Sequence, residues 1–236
     1  MNYKIIANEE ELLKFIHWLP ELEEGEKYYL ALFSRKKYCE TLIQSSDKTQ
    51  LKRFVTEKDR FYNRLRQLEI PVGAWKLKNG EDVPQESLAL YITINPRSMK
   101  KATEMMGKKC WDLMSRGNYN VHAEALSCIQ KSKSRTCFID FDIDTKEIDL
   151  DLQWLNEEIG EANYEILETR GGYHIMVNPT QASAFRQEKF GDKNWHVKIQ
   201  KKYPVDQSGD QLVPVPGSYQ GGFVPRFIKK TLSVEI

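Results

Sequence analysis

The four cysteines, Cys39, Cys110, Cys128 and Cys137, contain no C-x-x-C pair. Neither a zinc module nor a disulfide framework is therefore expected, and the thiols read as reduced and buried. No run approaches the roughly 20 apolar residues that cross a bilayer, so no membrane partner is expected. The opening stretch, MNYKIIANEEELLKF, turns acidic where a secretory signal is apolar, and a cytoplasmic location is the expectation. Internal repeats and low-complexity linkers are missing too. Nor is there an excess of one charge: 35 Lys and Arg stand against 34 Asp and Glu, a net +1, where a dedicated nucleic-acid binder is often strongly basic.

What is present is an ordinary globular composition. The 236 residues are 40% apolar and 29% charged, enough for one large domain or two small modules around a real core. In the first half, a short strand over Tyr3–Ile6 leads into a helix capped by Asn8 and stopped at Pro20. Tyr28–Phe33 and Leu88–Ile94 read as strands, the second ending at Asn95-Pro96. The spacing of Leu51, Phe54, Phe61 and Leu65 predicts one long basic helix over Thr49–Leu68. Two further helices are expected over Met99–Ser115 and Val121–Gln130, parted at Gly117-Asn118.

The second half opens with its clearest strand, Thr136–Ile143 (TCFIDFDI), which is expected to be central in its sheet. A helix over Leu150–Ile159, strands over Tyr164–Glu168 and Tyr173–Val177, and a helix over Gln181–Phe190 follow. Trp195–Gln200 reads as a strand, and Leu212–Pro216 and Val224–Ile228 as short extended pieces. The expected division is an N-terminal α/β module over 1–130 and a compact α+β sheet module over 131–236, with the two packed as one domain.

Chemistry concentrates in the second half. Alternation along Thr136–Ile143 puts Asp140 and Asp142 on one face, about 6–7 Å apart at Cα, while Ile139, Phe141 and Ile143 take the other. Two like charges on an apolar strand repel unless something positive lies between them, and a divalent cation is the usual answer. Asn at both positions is then expected to leave the fold intact or slightly steadier. Asp144 continues the acidic face. Arg170-Gly171-Gly172 lies between two apolar strands and offers a guanidinium and a bare backbone to an anion, with His174 beside it. Further on, Asp206 and Asp210 precede a rigid Pro216-Gly217-Ser218 turn. Basic clusters at Arg35-Lys36-Lys37, Lys131–Arg135 and Lys198–Lys202 are solvated faces or contacts to nucleic acid, the latter through Arg35, Lys36, Lys37, Lys198 and Lys202.

Taken in order, the motifs are a D-x-D strand, a Gly-containing turn into a strand-borne His, and an Asp ahead of a Pro-Gly-Ser turn. Over roughly residues 88–228 this resembles the catalytic domain of the archaeo-eukaryotic primase, or primase–polymerase, superfamily. Tyr91–Arg97 (YITINPR) looks like a segment of its plasmid and phage members.

The resemblance implies an α+β fold, with an N-terminal α/β module packed on a C-terminal RRM-like sheet module. It implies that Asp140, Asp142 and Asp206, with Asp210 as rival for the third place, are the catalytic carboxylates and hold Mg²⁺ or Mn²⁺. The reaction would be a two-metal transfer of a nucleotide to a 3′-hydroxyl. Arg170, Gly171, Gly172, His174, Ser218 and Arg226 would surround the nucleoside triphosphate, and a single-stranded DNA or RNA template would be the second partner. Any helicase or accessory subunit would be another chain. The sequence departs from the family at Gly172, where Ser is frequent, and at Gln220 and Gly222, where His and Lys are usual. Two alternatives stand beside this reading. One is a catalytically silent nucleotide- or nucleic-acid-binding module of the same fold; the other is a metal-dependent nuclease built on Asp142, Glu168 and Arg170.

Overall fold

In the computed structural model, which describes residues 1–39, 46–77, 79–117 and 120–229, helix α1 (Glu9–Trp18) starts where the sequence places its cap. The Asn8 side chain accepts from the Glu11 N–H, and Leu12 and Phe15 are buried. Strand β1 (Glu26–Arg35) follows, then β2 (Lys48–Thr56) and α2 (Lys58–Arg66). The long helix expected over Thr49–Leu68 is thus a strand followed by a short helix. Thr49, Val55 and Thr56 are β-branched, and β2 pairs antiparallel with β1 along its length. Strand β3 (Leu88–Thr93) is buried throughout, and a two-residue β4 (Arg97–Ser98) leads into α3 (Met99–Ser115) and α4 (Val121–Lys131). Gly117 ends α3 as expected; Asn118 lies outside the described residues.

Strand β5 (Ile139–Ile143) is the core of the expected Thr136–Ile143 strand. After it come α5 (Leu152–Ile159), β6 (Tyr164–Glu168), β7 (Tyr173–Val177), α6 (Pro179–Phe190) and α7 (Trp195–Lys202). The last is a helix where a strand was expected. Trp195 and Ile199, one turn apart, are its buried residues, and Val197 faces outward. Three short strands finish the fold: β8 (Gln207–Gly209), β9 (Leu212–Pro214) and β10 (Arg226–Lys229). The expected strand at Tyr3–Ile6 is an extended segment with isolated bridges only, although Tyr3 and Ile5 are buried.

Among the described residues the fold is α+β, with seven helices and two antiparallel five-stranded sheets. The first sheet runs β2-β1-β3-β9, with β4 on β1; the second runs β10-β6-β7-β5-β8. β9 belongs to the first sheet, so sheet membership does not follow the division at residue 130. One core joins α1, α2 and the inner face of the first sheet to Leu167 and Met176 of the second. Trp18 stacks on Phe138 across this seam, 4.6 Å between centroids. A second core, under α5, α6 and α7, takes Phe141, Ile143, Ile166 and Ile175. The cysteines are free, but only Cys128 is buried; the other three are half-buried. No helix among the described residues is long and apolar enough to cross a membrane.

Candidate active site

β5 lies inside the second sheet, between β7 and β8. Its alternation works as the sequence indicates. Phe141 and Ile143 enter the second core, which leaves Asp140 and Asp142 on the face turned toward the first sheet. The register pairs Asp142 directly with His174 on β7 and with Gln207 on β8. Asp140 is fully buried, and both its oxygens reach His174 Nδ1, at 3.0 and 2.9 Å. His174 Nε2 lies 3.6 Å from Asp142 Oδ1.

The group between the two carboxylates is therefore the imidazole itself. Burial pulls its pKa down, but the charge and hydrogen bond of Asp140, with help from Asp142 and Asp144, outweigh burial and hold it above the ordinary histidine value. Asp142 is pushed up, chiefly by burial and then by Asp140, Asp144 and Asp206, with His174 acting against them.

These residues open onto a cleft of about 570 Å³. Asp142, Asp144, Asp206 and His174 line it from the second sheet. The Asp206 N–H donates to the Asp142 carbonyl at 2.8 Å, which seats Asp206 beside the pair. Opposite them, Phe33, Arg35, Tyr91 and Thr93 come from the first sheet, and Lys131 from the end of α4. Arg35 is anchored by Asp47 at 2.7 Å and donates to the Tyr91 hydroxyl at 2.6 Å.

Asp210 also lines the cleft, but its charge is taken up. Arg97 Nη1 donates to it at 2.6 Å and Asn95 Nδ2 at 2.8 Å. Asn95 is fully buried and makes three more bonds, to Phe138 O and from the N–H groups of Cys137 and Phe138. It ties the end of β3 to the start of β5. Between the rivals for the third carboxylate, Asp206 is the exposed one.

Of the remaining predicted residues, Lys37 and Gly171 also line the cleft, and the others do not. Gly172 is required by packing: a Cβ there would lie 1.9 Å from the Ile143 carbonyl. At Gly171 a Cβ would meet Asp144 Oδ1 at 2.5 Å. Arg170 lies over the Tyr38 ring at 4.6 Å, its N–H donates to Gln220, and its Nη1 is buried without a partner. Ser218 is buried and donates to Val215 O, a turn-locking role. Arg226 pairs with Glu168, which also holds Lys146, so Glu168 is not brought to Asp142 in the cleft. Lys37 reaches Asp144 at 3.5 Å, and Lys36 is exposed next to it. Lys198 and Lys202 lie on α7, which covers the opposite face of the second sheet, and pair with Glu158 and Asp151. Sequence reasoning marked Asn95, Arg97 and Tyr91 only as part of the Tyr91–Arg97 segment, and Lys131 only as part of the Lys131–Arg135 cluster, with no site role for any of them. Only the Asn-Pro-Arg break after an apolar strand hinted at the first two.

Among the described residues no three His, Cys, Asp or Glu side chains are arranged to hold a metal. Asp142 and Asp206 nonetheless fit a hard cation that takes one or two carboxylates and completes its shell with water and phosphate oxygens. Comparison of the chain with protein-family models, with curated proteins and with solved structures returns no match.

Proposed function

We propose that the cleft is the site of a metal-dependent nucleotidyltransferase of the archaeo-eukaryotic primase kind, adding nucleotides to a 3′-hydroxyl. The observation that carries the reading is the pairing of opposite chemistries across one opening. Asp142, Asp144 and Asp206 share it with Arg35, Lys37, Lys48 and Lys131. Carboxylates of this kind suit a divalent cation, and cations of this kind suit a polyphosphate. Asp142 and Asp206 would hold Mg²⁺ or Mn²⁺, which when bound offsets phosphate charge and acidifies the attacking hydroxyl. His174, held by Asp140 at Nδ1, would present Nε2 as a donor to a phosphate oxygen when the ring is protonated. Arg35 and Lys131 balance the triphosphate, and Phe33 on the cleft wall would meet a base.

A second reading, a silent binding module, is favoured by one observation: Asp140 is spent on His174 and does not line the cleft. One experiment tests both. Mn²⁺ and a labelled nucleoside triphosphate are titrated into wild type, Asp142→Asn and His174→Ala, followed by a primer-synthesis assay on a single-stranded template. The polymerase reading expects Asp142→Asn to abolish transfer and His174→Ala to lower kcat/KM at least about tenfold. Nucleotide binding without turnover points to the silent module, and a wild type that binds no nucleotide ends the polymerase reading.

A further inference from the structure

Beyond the cleft, α3 and α4 pack against each other as a hairpin, α3 exposed along much of its length. From Met99 to Lys131 the sequence holds six Lys and Arg against three Asp and Glu, in a chain whose net charge is only +1. Arg53 of β2 fastens the hairpin to the first sheet by donating to Ser127 Oγ and to the Ala123 carbonyl. A groove of about 320 Å³ lies between the two helices, with Met105 and Cys128 in its floor and Lys108, Lys109 and Lys131 along it. Its acids are Asp112, engaged by Arg116 at 2.9 Å and Lys109 at 3.9 Å, and Glu124. Lys131 lines both the groove and the cleft, so the two meet at that residue. Trp111 is 77% exposed, the most exposed large apolar side chain inside any helix or strand among the described residues. Lys108 lies one turn before it on the same face.

We propose that a single strand of nucleic acid leaves the cleft over Lys131, follows the groove between α3 and α4, and stacks a base on Trp111. Resting on the reading of the cleft as a nucleotidyltransferase site, this gives the template its own track. A bare indole among lysines suits a single strand, since every base has a π-face and every linkage a negative charge. A folded protein partner would use Trp111, Met114 and Val121 as an apolar patch without needing the lysines or a meeting point with the cleft.

The test measures anisotropy of a fluorescein-labelled oligo(dT) on the full chain, with Mn²⁺–nucleotide binding and sedimentation velocity measured in parallel. Trp111→Ala is expected to weaken strand binding roughly tenfold, the scale of one lost base stack, while Trp111→Phe keeps most of it. Lys108→Ala with Lys109→Ala should flatten the salt slope by about 1.4, roughly 0.7 for each phosphate contact removed from a single strand. Nucleotide binding should be unchanged in every variant. Wild-type strand affinity in Trp111→Ala, or no strand binding by the wild type, overturns the inference. A dimer that Trp111→Ala dissociates with strand affinity intact also overturns it and marks a self-interface. Loss of nucleotide binding in the wild type, with strand binding kept, sinks the proposed activity instead.

Discussion

Asp140→Asn removes one charge from a buried pair whose imidazole edges the cleft. With Asp140 fully buried and both oxygens within 3.0 Å of His174 Nδ1, the change leaves a buried imidazolium without its main partner. Burial, which already pulls His174 down, is then opposed only by Asp142 and Asp144, and the pKa of the ring should fall. Removing one member of a buried ion pair costs about 3–5 kcal/mol. In a chain of this length each kcal/mol moves Tm by about 2–4 °C, so a fall of about 6–20 °C is expected. The expectation from sequence alone, that neutralising both acids would leave the fold intact or slightly steadier, is reversed for Asp140.

The pH dependence follows from the same pair. The folded pKa of His174 is raised, so its contribution is complete below the unfolded value of about 6.5 and is lost as pH rises through the folded value. The gap in Tm between wild type and Asp140→Asn should be widest near pH 6 and narrow above that point. Thermal melts from pH 6 to 9, with the His174 ring followed by NMR, check both parts. A variant that melts within about 2 °C of the parent, less than one kcal/mol, with its His174 titration unmoved, would refute the pairing.

Gly172→Ser, which installs the residue frequent in the family motif, forces a Cβ to 1.9 Å from the Ile143 carbonyl. The expected cost is at or beyond the top of the usual 1–3 kcal/mol for overpacking, seen as lost soluble yield or a lowered melt; a parental Tm contradicts it. Asn95→Ala strips four hydrogen bonds from one buried side chain and should cost about 3 kcal/mol or more in urea unfolding, because the partners stay buried and unpaired. Gly107, inside α3, has open space where a Cβ would project, with nothing within 4 Å. Gly107→Ala should therefore stabilise by about 0.5–1 kcal/mol, and a lower midpoint would mean that α3 needs the glycine.

Much of the site's one-dimensional logic was legible. TCFIDFDI announces its two faces, and HIMV places His174 at the mouth of a strand. Pairing between strands was not. That Asp140 reaches diagonally to His174, while Asp142 stands directly opposite it, is a matter of register, which no single strand displays. The contact of Asp210 with Asn95 and Arg97 was equally hidden, because it spans more than a hundred residues. The two misread elements show how local pattern misleads. Leu51, Phe54, Phe61 and Leu65 match a helix only if Glu57 is crossed without a break, and it is there that β2 gives way to α2. Val197 and Ile199 alternate like a strand, yet burial follows Trp195 and Ile199.

The placement of β9 bears on how the chain reaches this state during synthesis. β3 emerges early, every residue of it destined for burial, but the neighbour on its outer edge is Leu212–Pro214. About 120 residues separate the two strands, so at 5–20 residues per second the ribosome leaves that edge unpaired for about 6–24 s. Over that interval the nascent first half offers an open apolar strand to any other chain. A terminated product ending near residue 130 should need a chaperone, whereas the same fragment supplied with 131–236 in trans has the means to close its own sheet.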